Sequence, residues 1–110
     1  MATISVQVID KDPLVLTYTS AGSSGDTLTN TFFDTIVNVK NDSGSNLTVL
    51  ISALVPCDAG DYTDVSEVVA TGTIGTFPIH SRLTNWSSKL VNVRYSAVTE
   101  VGIAAYRVLR

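Results

Sequence analysis

His80 and Cys57 are the only histidine and the only cysteine in the chain, so any nucleophilic or zinc chemistry has to be assembled from them. A catalytic thiolate needs its pKa lowered, commonly by a helix N-terminus, and the residues around Cys57 carry no helix-start signal. His80 has no second histidine to share a metal site, and no partners for a triad are spaced around it. Cys57 is therefore read as a small buried or half-buried side chain and His80 as a loop residue. No catalytic residue is assigned, and an enzyme is not expected.

Three further patterns carry polar chemistry. Asp58, Asp61 and Asp64 form a D-x-x-D-x-x-D series around Gly60. Hard cations favour clustered carboxylates, but the EF-hand loop places its acidic ligands at alternate positions, and Asp is common in turns because it bonds nearby N–H groups. The series is read as a turn with a weak cation site as the alternative, and no metal or other cofactor is assigned. Asn41-Asp42-Ser43, Asn46-Leu47-Thr48 and Asn85-Trp86-Ser87 match the glycosylation sequon, as chance allows in a chain rich in Ser and Thr. Gly72, Gly75 and Gly102 lie outside any strand–loop–helix context that would cradle a phosphate. Trp86 is read as a packing anchor or interface residue, with sugar stacking by Trp86, Tyr62 or Tyr18 as the alternative.

The elements that must position these residues are strands. Polar and apolar residues alternate in Ile4-Ser5-Val6-Gln7-Val8, and Val15 to Tyr18 follows a turn at Lys11-Asp12-Pro13. Thr19 to Thr31 has no apolar period and reads as a flexible loop or tether. Phe32 to Lys40 and Leu47 to Val55 flank the turn-rich Asn41–Asn46 and are expected to form a hairpin. Val65 to Ala70 is a short strand, and Thr76 to Ile79 an irregular extended segment. Leu90 to Tyr95 and Gly102 to Leu109 are expected to form a second hairpin. No stretch has a convincing 3.6-residue period, so the expected fold is all-β: an antiparallel β-sandwich of seven to eight short strands, Greek-key or jelly-roll in type.

Composition agrees. The chain has 110 residues, 45% of them hydrophobic and 15% charged, enough for one domain with its own core. Residues 1–31 are read as N-terminal strands and an arm, and residues 32–110 as the sandwich. A net charge of −3 disfavours nucleic acid, which needs clustered Lys and Arg. No apolar run approaches the ~20 residues that span a bilayer, so no membrane partner is expected. The first residues lack a basic n-region and an apolar h-region, so no signal peptide is expected.

Two stretches resemble small virion proteins of tailed bacteriophages. Val37-Asn38-Val39-Lys40-Asn41-Asp42-Ser43-Gly44-Ser45, followed by Leu47-Thr48-Val49, is similar to their strand, K-N turn and T-V-T strand. Val91-Asn92-Val93-Arg94-Tyr95-Ser96-Ala97-Val98-Thr99, with Val101 to Leu109, resembles their ending. Thr76-Phe77-Pro78-Ile79 with Leu83-Thr84-Asn85 is similar to a third segment, although the family's Gly-Pro is absent and Leu83 stands where an aromatic is usual. The resemblance covers roughly Phe32 to Leu109 and brings no catalytic residues. It implies a structural virion protein that decorates or cements a capsid by bridging major capsid protein subunits. Such a protein would be assembled in the host cytoplasm and carried on the capsid surface. A head-fibre or tail-associated receptor- or carbohydrate-binding module is the alternative.

Ile4, Val6, Val8 and Trp86 are the expected partner contacts. The Ile4–Val8 strand either adds to a neighbour's sheet edge or pairs within its own domain. Self-association is expected as well, as a trimer in preference to a dimer, because sandwiches leave sheet edges open.

Overall fold

The alternation read in Ile36–Asn41 is an alternation of burial: Val37, Val39 and Asn41 are buried, while Ile36, Asn38 and Lys40 are half-buried. A computed structural model describes residues 2–9, 15–30, 34–52, 65–79 and 89–108. These residues form ten strands: β1 (Ala2–Ile4), β2 (Val6–Ile9), β3 (Thr19–Ser20), β4 (Asp26–Thr29), β5 (Ile36–Asn41), β6 (Leu47–Ile51), β7 (Val65–Val69), β8 (Thr73–Pro78), β9 (Leu90–Tyr95) and β10 (Val101–Val108). Helices are absent among the described residues.

The strands make a two-sheet β-sandwich. One sheet runs β1-β4-β9-β6-β7 and the other β2-β10-β5-β8, with β3 also paired to β10. Alternate residues meet between the sheets. Leu28, Leu47, Val49, Ile51, Val91 and Val93 come from the first sheet, and Val37, Val39, Phe77, Ile103 and Ala105 from the second. Burying a Val, Leu or Ile side chain contributes about 1.5–3 kcal/mol, so this layer dominates the stability.

The pairing differs from the sequence reading in three respects. Neither expected hairpin forms, since β5 and β9 lie in the opposite sheet to β6 and β10 respectively. Among consecutive described strands only β6 and β7 are bonded to each other, and the other short connections are mostly arches from one sheet to the other. Turn-forming residues bend the chain equally well whether the strands they join pair or part. Second, the soft stretch from Thr19 to Thr31 holds β3 and the internal strand β4, which lies between β1 and β9. No apolar period marks this strand because its inward positions are Asp26 and Leu28, and one of those is a carboxylate. Third, β1 pairs with β4 and β2 with β10 in parallel, while the remaining pairings are antiparallel. These parallel contacts need no crossover helix, because the N-terminal strand switches sheet at Ser5 and closes one flank of the sandwich on both sides.

Val15–Tyr18, expected as a strand, is irregular and is held by the Gln7 side chain. Gln7 Nε2 donates to the Thr17 carbonyl (2.9 Å), and Thr17 N–H donates to Gln7 Oε1 (3.0 Å). Conversely, the segment read as irregular at Thr76–Ile79 continues a regular strand, β8, paired with β5.

Candidate functional site

Of the four buried polar side chains among the described residues (Asp26, Asn30, Thr35 and Asn41), the two asparagines and the aspartate bind across the places where the chain changes sheets. Asn41 Nδ2 donates to the carbonyls of Val69 (2.9 Å) and Ser45 (3.0 Å), while Asn41 Oδ1 accepts from Ser43 N–H (3.1 Å) and Ser43 Oγ (2.6 Å). One amide thus ties the β5–β6 arch to the end of β7. Thr71 Oγ1 donates to the Ser43 carbonyl and Thr71 N–H to Asn46 Oδ1 (3.3 Å), which adds the β7–β8 turn to the same knot. Asn30 Nδ2 donates to the Ile79 carbonyl (3.4 Å), and Asn30 Oδ1 accepts from Thr35 N–H (3.1 Å).

Asp26 Oδ2 accepts from Gly22 N–H (3.0 Å) and from the Tyr95 hydroxyl (2.8 Å). A Cβ on Gly22 would lie 2.8 Å from Asp26 Oδ1 and 2.9 Å from the Gly25 carbonyl, so this close turn requires glycine. Burial pushes the Tyr95 phenol well above its usual range, and the hydrogen bond to Asp26 pushes it the same way. Buried amides and carboxylates are costly unless bonded, and Asn30, Asn41 and Asp26 Oδ2 are engaged in this way, while Asp26 Oδ1 is buried without a hydrogen-bond partner among the described residues. Sequence reasoning missed all three as buried positions, since Asn and Asp in Ser/Gly-rich surroundings signal exposed turns.

On the outer face of the β2-β10-β5-β8 sheet, Tyr18 packs across Gly102. The Tyr18 Cβ is 3.3 Å from where a Gly102 Cβ would stand, and the Tyr18 hydroxyl accepts from Asn38 Nδ2 (3.4 Å). The Lys40 ammonium lies 5.8 Å from the Tyr18 ring centroid and 3.6 Å from Asp42. Beside this ring is a cleft of about 560 Å³ lined by Tyr18, Ser20, Lys40, Asp42, Glu100 and their neighbours. Glu100 has a left-handed backbone (φ 56°) in a turn in which Val101 N–H donates to the Val98 carbonyl (3.3 Å). At the far end of the sheet, the Arg107 guanidinium holds Asp34 through Nη2–Oδ2 and Nε–Oδ1 contacts of 3.0 and 3.1 Å, which lowers the Asp34 carboxyl below its usual range.

The flank opposite the N-terminal strand is open among the described residues, because β7 ends one sheet and β8 ends the other. Between them runs a groove of about 420 Å³ lined mainly by Ile51, Val65, Val69, Gly75, Phe77 and Pro78, with Glu67 as its charged residue. A Cβ on Gly75 would come within 2.7 Å of Val69 Cγ2 and 3.0 Å of the Phe77 ring, so glycine lets the two edges close together at this level. The exposed apolar side chains Val68 and Ile74 belong to the same two strands.

Three of the residues expected to touch partners lie in described strands and differ in exposure. Ile4 is buried in the core, Val6 is half-buried against it and Val8 is exposed; β1 and β2 pair with β4 and β10 of the same chain. That is the second of the two arrangements the sequence left open for this strand. Trp86, Tyr62, Cys57, His80 and Asp58, Asp61 and Asp64 lie outside the described residues. Among the described residues, no group of three His, Cys, Asp or Glu side chains comes together as a metal-binding set. Comparison with protein-family models, with curated proteins and with solved structures finds no match to this chain.

Proposed function

We propose that this chain is a structural virion protein that decorates or cements a bacteriophage capsid by bridging neighbouring major capsid protein subunits. The observation that carries this reading is the use to which the interior polar groups are put. Asn30, Asn41 and Asp26 hold the arches between sheets, so among the described residues these buried polar groups serve the rigidity of the domain, which supports a binding role carried by its surface. The resemblance of Val37–Val49 and Val91–Leu109 to small phage virion proteins gives that surface a partner. A rigid module contributing roughly 800 Å² per partner, repeated at every equivalent position of a shell, would reinforce it against internal pressure.

A receptor- or carbohydrate-binding role in a head fibre or tail is the second reading, favoured by the polar cleft beside Tyr18. Immunogold labelling of particles purified from the culture that expresses the chain separates the two. Gold across the head lattice is the expected result. Gold confined to fibres or tail replaces the first reading with the second, and unlabelled particles beside abundant free chain overturn both.

A further inference from the structure

The two edges at the open flank are built differently. In β7, Val65, Glu67 and Val69 stand opposite the inward-facing Ile51, Val49 and Leu47, which puts Glu67 on the inner face of its sheet. An inward-pointing charge is a recognised device that keeps a sheet edge from pairing with another chain. In β8 the device is weaker: Thr73 to Phe77 carries no charged residue, and only Pro78, at the end of the strand, limits how far a second strand can pair.

The backbone polarity of β8 follows from its register. Ile79 N–H donates to the Thr35 carbonyl (3.0 Å), and Val37↔Phe77 and Val39↔Gly75 share that parity, so Phe77 and Gly75 direct their backbone groups toward β5. Pro78, opposite Ile36, falls in the other set, where no N–H toward β5 is needed. Among the described residues this edge is unpaired, and it presents the N–H and C=O of Ile74 and of Thr76, and the C=O of Pro78.

We propose that β8 pairs antiparallel with β8 of a second copy of this chain, about a two-fold axis beside Thr76. Thr76 then exchanges both backbone hydrogen bonds with its counterpart, and each Ile74 N–H donates to the other copy's Pro78 carbonyl. The Ile74 carbonyl, which faces a proline nitrogen without a hydrogen, keeps its bond to water at the end of the ladder, so the pairing rests on four hydrogen bonds. On the outer face the half-exposed Ile74 packs on the other copy's Pro78. On the inner face the second Phe77 comes opposite Gly75, at the mouth of the apolar groove. No like charges meet across this edge, whereas β7 would bring its own carboxylate to any such pairing. The other edges fit less well: β1 has three residues, and β2 has four, with Gln7 already engaged by Thr17. The assembly is a dimer rather than the trimer expected from sequence, and it stands independently of the virion reading.

Multi-angle light scattering and sedimentation of the full chain over a concentration series test this. The parent is expected to reach twice the chain mass. Thr76→Lys and Thr76→Glu, at an exposed side chain, each weaken the dimer by on the order of tenfold or more through like charges set face to face. An equimolar mixture of the two restores it, a result that only direct juxtaposition of the two positions gives. Circular dichroism melts verify that each variant is folded. A parent that stays monomeric at every concentration overturns the proposal, as does a threefold mass, or a dimer that both variants leave intact. Absence of restoration in the mixture of folded, monomeric variants also overturns it.

Discussion

Replacing Asn41 with alanine removes two donors from a buried site and leaves the Val69 carbonyl without its 2.9 Å partner. An unsatisfied buried carbonyl costs about 1–3 kcal/mol. The Ser45 carbonyl and the Ser43 N–H lie nearer the surface and regain water, so losing their bonds adds about 1 kcal/mol. The expected total is about 3 kcal/mol, which moves a urea midpoint down by about 2 M for a domain of this size. Asn41→Asp provides the sharper comparison, because it keeps the shape and the acceptor but turns oxygen lone pairs on the Val69 and Ser45 carbonyls. Burial and those carbonyls raise the introduced carboxyl's pKa in the folded state. Its stability is then fully present below the unfolded value of about 3.9 and is lost as pH rises through the folded value. The gap between Asn41→Asp and the parent should therefore narrow as the urea titrations are repeated toward pH ~4. An alanine variant within about 0.5 kcal/mol of the parent would show that the arch stands without its amide. A pH-independent gap for the aspartate variant would show that the site is wet.

Tyr95 and Glu100 give two further tests. The Tyr95 phenol keeps its proton in the folded state at pH values where the unfolded chain has lost it. Its contribution is present below pH ~10 and falls above that by about 1.4 kcal/mol per pH unit. Tyr95→Phe should lose about 1–3 kcal/mol near neutrality by withdrawing a donor from Asp26, yet decline less steeply than the parent in alkaline urea titrations. Parallel decline of the two proteins would place the sensitivity elsewhere. Glu100→Gly should raise the thermal midpoint by relieving a left-handed backbone that costs roughly 1 kcal/mol, while Glu100→Val should lower it. A drop with glycine would mean that the Glu100 side chain makes a contact worth more than the strain.

Strand existence was readable where burial alternates with apolar character, as in Ile36–Val39, Leu47–Ile51, Leu90–Val93 and Val101–Ala105. Strand pairing was not. The residues Asn41 to Asn46 suit a two-stranded turn, and what turns them into an arch is the burial of Asn41 on the same side as Val37 and Val39. Polarity alone hides that parity, because an inward Asn resembles a surface one until its bonds to Val69 and Ser45 are known. The same ambiguity concealed β4 behind Asp26. The open flank was unreadable for a different reason: an edge is a property of sheet order, and β7 and β8 become edges only once β5 and β6 part into different sheets. Glu67 and Pro78 could have hinted at it, since an inward charge and a proline are tolerated at edges.

The switch of the N-terminal strand at Ser5 has a consequence for biosynthesis. Val6 is made early, but its ladder partner Ala105 emerges roughly a hundred residues later. At ribosomal rates of about 5–20 residues per second, that delay is on the order of 5–20 s. Throughout it, the Val6–Ile9 stretch has no ladder to join, while β1 can already dock beside β4. The nascent chain therefore carries a half-fastened, apolar, uncharged strand, a natural substrate for holdase chaperones and for strand exchange between chains growing on one polysome.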